Sequence, residues 1–432
     1  MGKAVAATGL DVNPKKFRPL DYIKITIFGL ALSALWGSLH SVIMPVRLLD
    51  FVAESQKNTY LGLLTFTGLI LAMVIQPVAG AISDRSSFSW GRRRPYILLG
   101  GVLTLFFLFG IGYAQSYAAL FAIYCLLQIA SNTAQGPYQA FIPDLVAEEK
   151  RGLASGVKNL VEVVGGVAVL YFMGRFMSRY LTDGGSFWLW LALGALAIIW
   201  LGTMLATVLM VRERPGGGDS RFSLRPALSQ SFKFEARASR NFALFLVSRF
   251  LILIAFIILQ RYALYFLMDV VGVTDPAAVT ADLLIVVGVC SLAAAYPAGR
   301  LSDRVGRRLV IMASGLLGAL GIVVLFFSSS YIQVMFCGAL LGIAFGAFMS
   351  ANWALATELV TKGGEARYLG LTNLATAGAG ALVGLMGLVI DLSNADIPGL
   401  GYKIMLLACF VSFLVGSGVV MKIKERVNQG TV

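Results

Sequence analysis

Charge is scarce in this 432-residue chain: Asp, Glu, Lys and Arg together make up 13%, and there is one histidine. A soluble domain carries about 25% charged and about 45–50% apolar residues, whereas 58% of residues here are hydrophobic and the mean hydropathy is +0.81. So little polar material excludes a soluble globular protein and defines an integral membrane protein. Cysteine is also sparse. Cys125, Cys290, Cys337 and Cys409 lie in apolar runs, outside any CxxC or Cys/His cluster, so neither a disulfide framework nor a zinc site is indicated. Nucleotide loops and Ser/His/Asp arrangements are missing as well, which speaks against an enzyme.

What charge there is carries information. The formal net charge of +13 is spread in short basic clusters between apolar runs, not in one stripe interleaved with aromatics, so topology and not nucleic acid explains it. The opening stretch MGKAVAATGLDVNPKKFRPL lacks the apolar core of a signal peptide, and a myristoylation pattern breaks at Ala6, so the first apolar run is expected to remain as a span. A bilayer core of about 30 Å needs about 20 apolar helical residues. Twelve segments satisfy this, at roughly 22–46, 60–82, 95–114, 117–141, 152–174, 187–211, 242–268, 281–300, 308–327, 332–357, 368–391 and 401–421. Their continuous, non-alternating apolarity argues against a barrel, so the expected fold class is all-α, a polytopic membrane protein of twelve transmembrane helices.

Lysines and arginines concentrate in the N-terminal segment, in the even-numbered connections and in the C-terminal tail; the odd-numbered connections hold only Arg47, Lys57, Arg175, Arg179 and Lys403. Positive charge is retained on the cytoplasmic side, so both termini are expected there, at the plasma (cytoplasmic) membrane if the host is prokaryotic. The longest connection, the basic and Gly/Pro/Ser-rich 212–240, divides the chain into six-helix halves at 1–211 and 241–432. The halves repeat each other. Gly80, Ser83, Asp84 and Arg85 match Gly299, Ser302, Asp303 and Arg304; Gly91 and Arg92 match Gly306 and Arg307; and Asp144, Gly156 and Asn159 match Glu358, Gly370 and Asn373. Two six-helix halves in parallel repeat mark rocking-type transporters with a substrate site near the midplane.

The repeated charged stretches, GAISDRSSFSWGRRRPYILLG from Gly80 to Gly100 and GRLSDRVGRR from Gly299 to Arg308, close cytoplasmic hairpins after spans two and eight. Asp84, Arg85, Arg92, Arg93, Asp303, Arg304 and Arg307, with Asp144 and Glu358 at helix ends, are expected to anchor topology or to form a latch that holds one conformation and breaks in another. These paired motifs resemble the loop motif of the major facilitator superfamily, over essentially the whole chain. The expanded first copy, together with ASNTAQGPYQAFIPDL from Ala130 to Leu145, resembles the glycoside-pentoside-hexuronide:cation and sucrose:proton symporter branch. The resemblance implies alternating access driven by the transmembrane proton gradient, with no cofactor, and a sugar or glycoside as substrate. Two positions depart from that branch: Gln128 stands where it carries an intramembrane aspartate, and Gln139 where it carries a sugar-binding arginine.

An ionisable group inside a span is costly and is a functional candidate by default. Lys158 and Glu162 lie four residues apart on one face of the fifth span. Desolvation disfavours a carboxylate and a neighbouring ammonium favours it, so a site that opens and closes can switch protonation; a static ion pair is the alternative. His40, in the first span, can relay protons or serve as a hydrogen-bonded structural residue. Arg261, beside Gln260, Tyr262 and Tyr265 in the seventh span, suits a ligand with hydroxyls or a carboxylate, unless it snorkels to the outer interface as Arg249 is expected to do at the inner one. Trp36, Asn132, Gln135, Gln139, Asn352 and Trp353 are candidate sugar contacts from both halves, with interhelical packing as the alternative. The expected function is proton-coupled uptake of a sugar or glycoside by a monomer in lipid. An exporter or carrier of a lipid-like substrate, or a transport-inactive receptor or assembly factor, are the other readings.

Overall fold

A computed structural model describes residues 18–147, 150–213, 240–359 and 365–423. The linker expected at 212–240 lies outside the described residues from 214 to 239, as do Lys3, Lys15, Lys16, Lys362, Lys424 and Arg426. Twelve helices are long and apolar enough to cross a bilayer. They are α1 (Pro19–Leu48), α2 (Glu54–Asp84), α3 (Arg94–Tyr113), α4 (Tyr117–Leu145), α5 (Arg151–Asp183) and α6 (Ser186–Met210), then α7 (Arg240–Val271), α8 (Pro276–Val305), α9 (Arg307–Phe326), α10 (Tyr331–Leu359), α11 (Ala375–Asp396) and α12 (Leu400–Met421). A backbone crossing hydrocarbon must bond to itself, and among the described residues helix is the only regular structure present. The protein is an all-α polytopic membrane protein.

Several helices outrun their apolar segments. The fifth was expected at 152–174 but continues to Asp183, and its 33 residues span about 50 Å, more than a hydrocarbon core of about 30 Å. The extra turns carry Arg175 and Arg179 into the interfacial zone, where charge is tolerated.

Helices α1 to α6 pack among themselves, chiefly α1 on α5 and α6 and α4 on α2 and α3; α7 to α12 repeat the scheme, with α10 on α8 and α9 and α12 on α7 and α9. Each half holds its own aromatic core. In the first, Phe28 meets Trp200 and Tyr138 edge-on at 5.0 and 5.4 Å; in the second, Phe256 meets Phe413 and Phe345 at 4.8 and 5.0 Å. The Gly338, Gly342 and Gly346 stripe seats α10 against Leu283, Val287 and Ser291 of α8, as small residues allow.

The halves meet along α5 with α8 and along α2 with α11. A side chain at Gly62 would fall onto the Gly384 carbonyl oxygen, so this crossing needs glycine on both sides. The two lead helices of the halves share a further irregularity: α1 has a π-helical turn at Leu39–Ile43 and α7 one at Leu267–Val271. In α1, Pro45 has no amide to offer the preceding turn, which accounts for the loosened ladder there.

Candidate functional site

A cavity of about 300 Å³ opens between the halves, lined by Ser33, Trp36, Gly37, His40 and Ser41 of α1 and by Ile257, Gln260 and Arg261 of α7. The wide turn in α1 carries His40, whose Nε2 lies 2.8 Å from the Tyr124 hydroxyl of α4. Gln128 donates to that hydroxyl at 2.9 Å, and Asn132 donates to the Gln128 side-chain oxygen at 3.1 Å. A polar file thus runs from the cavity wall down α4. Trp36 lies 5.1 Å from the His40 ring, and its indole forms part of the wall.

Arg261 reaches into this cavity from the second half. It is 6% exposed and lies beside Tyr124 and His40, so it does not snorkel to an interface. Its Nη1 atom is buried without a hydrogen-bond partner. Arg249 does not snorkel either, contrary to expectation. It is 3% exposed and bonds the Asn352 side-chain oxygen and, at 3.1 Å, the Thr376 hydroxyl, all within the second half. The cause is geometric: Asn352 of α10 and Thr376 of α11 supply acceptors inside the half, so the guanidinium need not seek water.

The predicted residues therefore divide. Trp36, His40 and Arg261 share the cavity, and Asn132 joins it through Gln128. Gln135 is half-buried one turn further along α4, while Gln139 and Trp353 are exposed near the basic ends of α4 and α10. Asn352 turns to Arg249, away from α1. Lys158 and Glu162 do form a pair, at 3.6 Å, with Lys158 5.4 Å from the centre of the Tyr138 ring. Glu162 fits against α1 because residue 29 is glycine; a Cβ there would stand 2.5 Å from Oε1. His40 is eleven residues further along α1, about 16 Å at 1.5 Å per residue, so the three residues grouped for proton handling occupy two places.

The charged motifs bind within each half. Arg92 and Arg93 hold Asp144 at 2.7 and 2.8 Å, and Arg93 also contacts Asp84. In the second half Arg307 holds Glu358 at 2.7 Å, the counterpart of Arg92 with Asp144 at the matched positions. Asp303 and Arg304 lie exposed at the end of α8, and Arg85 at the end of α2. These bonds tie α3 to α4 and α9 to α10; they do not bridge the halves. Sequence reading missed Glu213, which accepts the Arg93 amide at 2.7 Å. Burial pushes its carboxyl above the usual range, opposed by the Arg93 and Arg92 amides.

It also missed the bridges between halves, which gather on the face opposite the charged motifs. Lys57, buried at the start of α2, meets Asp269 of α7 at 2.6 Å. Within the second half Tyr402 donates to the other Asp269 oxygen at 2.6 Å; across the halves Asn58 donates to Asp391 of α11 at 2.9 Å, with the Thr59 amide on the second Asp391 oxygen at 2.6 Å. Beneath them the Tyr265 hydroxyl donates to the Pro45 carbonyl at 2.8 Å. On the far side Arg175 of α5 meets Asp282 of α8 at 2.7 Å. One signal was available: Asp391 is an acid inside an apolar run.

Twelve helices in two repeated halves, with a polar cavity where they meet, define a membrane carrier of the major facilitator fold. Residues 40–421 match the family described as MFS/sugar transport protein, and the chain belongs to that family. It is 37% identical over 112 residues to a sucrose transport protein of Oryza sativa subsp. japonica, covering 21% of each chain. It is 32% identical over 130 residues to solute carrier family 45 member 4 of Homo sapiens, covering 27% of this chain and 17% of that one. The matches thus span about a fifth of the length of these curated relatives. Among solved structures, a nucleoside transporter NupG mutant superposes with TM-score 0.74 at 13% identity, covering 94% of this chain and all of that one. A D-xylose-proton symporter superposes with TM-score 0.72 at 16% identity, covering 95% and 99%.

Proposed function

We propose that the protein is a secondary active transporter that takes up a sugar or glycoside with protons, by alternating access. The observation that carries the reading is the cavity between α1 and α7, polar on both walls and roofed on one face by bonds between the halves. In this reading the halves, 1–211 and 241–432 joined by 212–240, rock about that cavity; the basic face and both termini are cytoplasmic, and the arrangement described is closed to the outside. Breaking the Lys57–Asp269 and Asn58–Asp391 contacts would open the other face.

The cavity offers what a sugar needs, namely hydroxyl partners from Ser33, Ser41 and Gln260 and an indole face from Trp36. That polar lining favours a hydroxyl-bearing solute over a lipid-like one. The names of the sucrose transport protein and the D-xylose-proton symporter point the same way. Lys158 and Glu162 are assigned the proton step, because a carboxylate that gains or loses its ammonium partner and its water as the halves move changes its proton affinity. No cofactor enters; the gradient supplies the energy, and a monomer suffices.

The test is transport by the purified protein in proteoliposomes, with and without an inwardly acid pH gradient, across a panel of mono- and disaccharides and glycosides. Accumulation of one of them that follows the gradient is expected. A gradient-independent flux would remove the proton step, and no flux of any sugar by folded, correctly inserted protein would remove the substrate class.

A further inference from the structure

The cavity has a charge that no carboxylate among the described residues answers. Arg261 is more than nine-tenths buried, lines the cavity, and leaves Nη1 without a hydrogen-bond partner. Among the described residues no carboxylate stands within ion-pair distance of it. Its neighbours Tyr124, Tyr262 and His40 include no acid, and the polar file beyond them continues through the amides Gln128 and Asn132. The carboxylates that could have served are engaged elsewhere: Glu162 with Lys158, Asp269 with Lys57 and Tyr402, and Asp391 with Asn58 and the Thr59 amide. Arg249, the other buried arginine of α7, shows the contrast, since its guanidinium is met by Asn352 and Thr376.

An arginine is charged at any pH the protein meets, and its planar fork matches a carboxylate or phosphate bidentately. Placed in the low-dielectric wall of a cavity that fits a small solute, with one nitrogen left unpaired, it calls for an anion from outside the chain. We infer that the solute carried in this cavity bears an anionic group, a carboxylate or a phosphate, seated on Arg261, with its hydroxyls toward Gln260 and Ser41 and its ring toward Trp36. This rests on the transport reading above and narrows it from sugars in general to acidic sugars or glycosides. Tyr124, which hydrogen-bonds the guanidinium, and His40 flank it; the second half thus supplies the charge and the first half most of the remaining wall.

The experiment measures binding to the purified full-length protein in lipid nanodiscs by calorimetry, and counterflow in proteoliposomes, for three matched probes: methyl β-glucoside, the corresponding methyl glucuronide, and glucose 6-phosphate. Wild-type protein is expected to prefer one or both anionic probes over the neutral glycoside by about ten- to a hundred-fold, the range of a charge-assisted contact. The glucuronide and the phosphate separate the two anion sources. Arg261→Gln is expected to abolish the preference, and Arg261→Lys, which keeps the charge without the fork, to restore part of it. The wild-type comparison stands even if a variant fails to fold. If the neutral glycoside binds and moves as well as the acids, or if Arg261→Gln retains the preference, the inference is overturned while sugar transport survives. If none of the probes nor any neutral sugar of the wider panel moves, both fall together.

Discussion

In the repeated motif, Arg92 and its match Arg307 are both half-buried, whereas Arg93, the next residue, is enclosed. Arg93 is 4% exposed and is held by Asp144, Asp84, the Ser83 hydroxyl and the Gly80 carbonyl, whereas Arg307 is half-buried and is met by Glu358 and the Ala354 carbonyl. Removing a partner from the more buried arginine should cost more. Asp144→Asn is expected to lower stability by about 1–3 kcal/mol and Glu358→Gln by less than about 1 kcal/mol, read as thermal unfolding midpoints in one detergent; equal losses would contradict the assignment. The Lys158–Glu162 pair calls for a different readout. Lys158→Met with Glu162→Leu removes both charges together and so leaves no unpaired one behind. The double variant is expected to keep counterflow while losing gradient-driven accumulation at least about ten-fold, a loss equal to about 1.4 kcal/mol of coupling. Unchanged accumulation would make the pair static. Both motifs were legible as residues, because charge inside an apolar chain is conspicuous; which arginine is buried was not, since that depends on Glu213 and Ser83 closing around one of them.

The twelve helices were legible because each crossing demands its own apolar run, and the boundaries missed where a second force took over. The second helix begins at Glu54 and not near residue 60, since Lys57 and Asn58 are drawn in by Asp269 and Asp391. These partners lie more than two hundred residues apart, beyond any local periodicity, so the closed face could not be read from the chain. In α11 a 3-10 turn at Val383–Leu385 interrupts the α-helix where Gly384 presses on Gly62. Two predictions follow for these elements. Asp269→Asn leaves Lys57, 2% exposed, without its counter-ion; because the Asp269 side chain is itself 29% exposed, the closed state should lose about 1–3 kcal/mol, less than a fully buried pair. Spin labels at the exposed Ser55 and Asp396 should then report a second, longer distance population. A single unchanged distance would mean that the ion pair does not hold the face shut. Gly384→Leu, which wedges α2 from α11, should produce the same population with the ion pair intact.

At the scale of the whole molecule, the fold works because each half is self-sufficient. Aromatic cores and the Arg92–Asp144 and Arg307–Glu358 bonds hold the halves together internally, while the ion pairs between them, Lys57–Asp269 and Arg175–Asp282, lie on the face opposite the charged motifs, and the α5–α8 and α2–α11 crossings are lined by glycines. In the proposed cycle, rocking would break those ion pairs and slide the glycine-lined crossings while leaving both cores intact, as a bistable carrier requires. The proposed cycle turns about the cavity between α1 and α7. The most direct test places a cysteine at Gly37, where an added Cβ meets no other atom, and follows its reaction with a membrane-impermeant maleimide in sided vesicles. The unaltered chain, whose Cys125 and Cys290 are half-buried, serves as background. Gly37→Cys should react from the basic face, be protected by the transported solute, and become reachable from the opposite face when Asp269→Asn is added. Reaction that no transported solute slows, or that stays confined to one face in the double variant, would contradict a substrate site alternately exposed between two rocking halves.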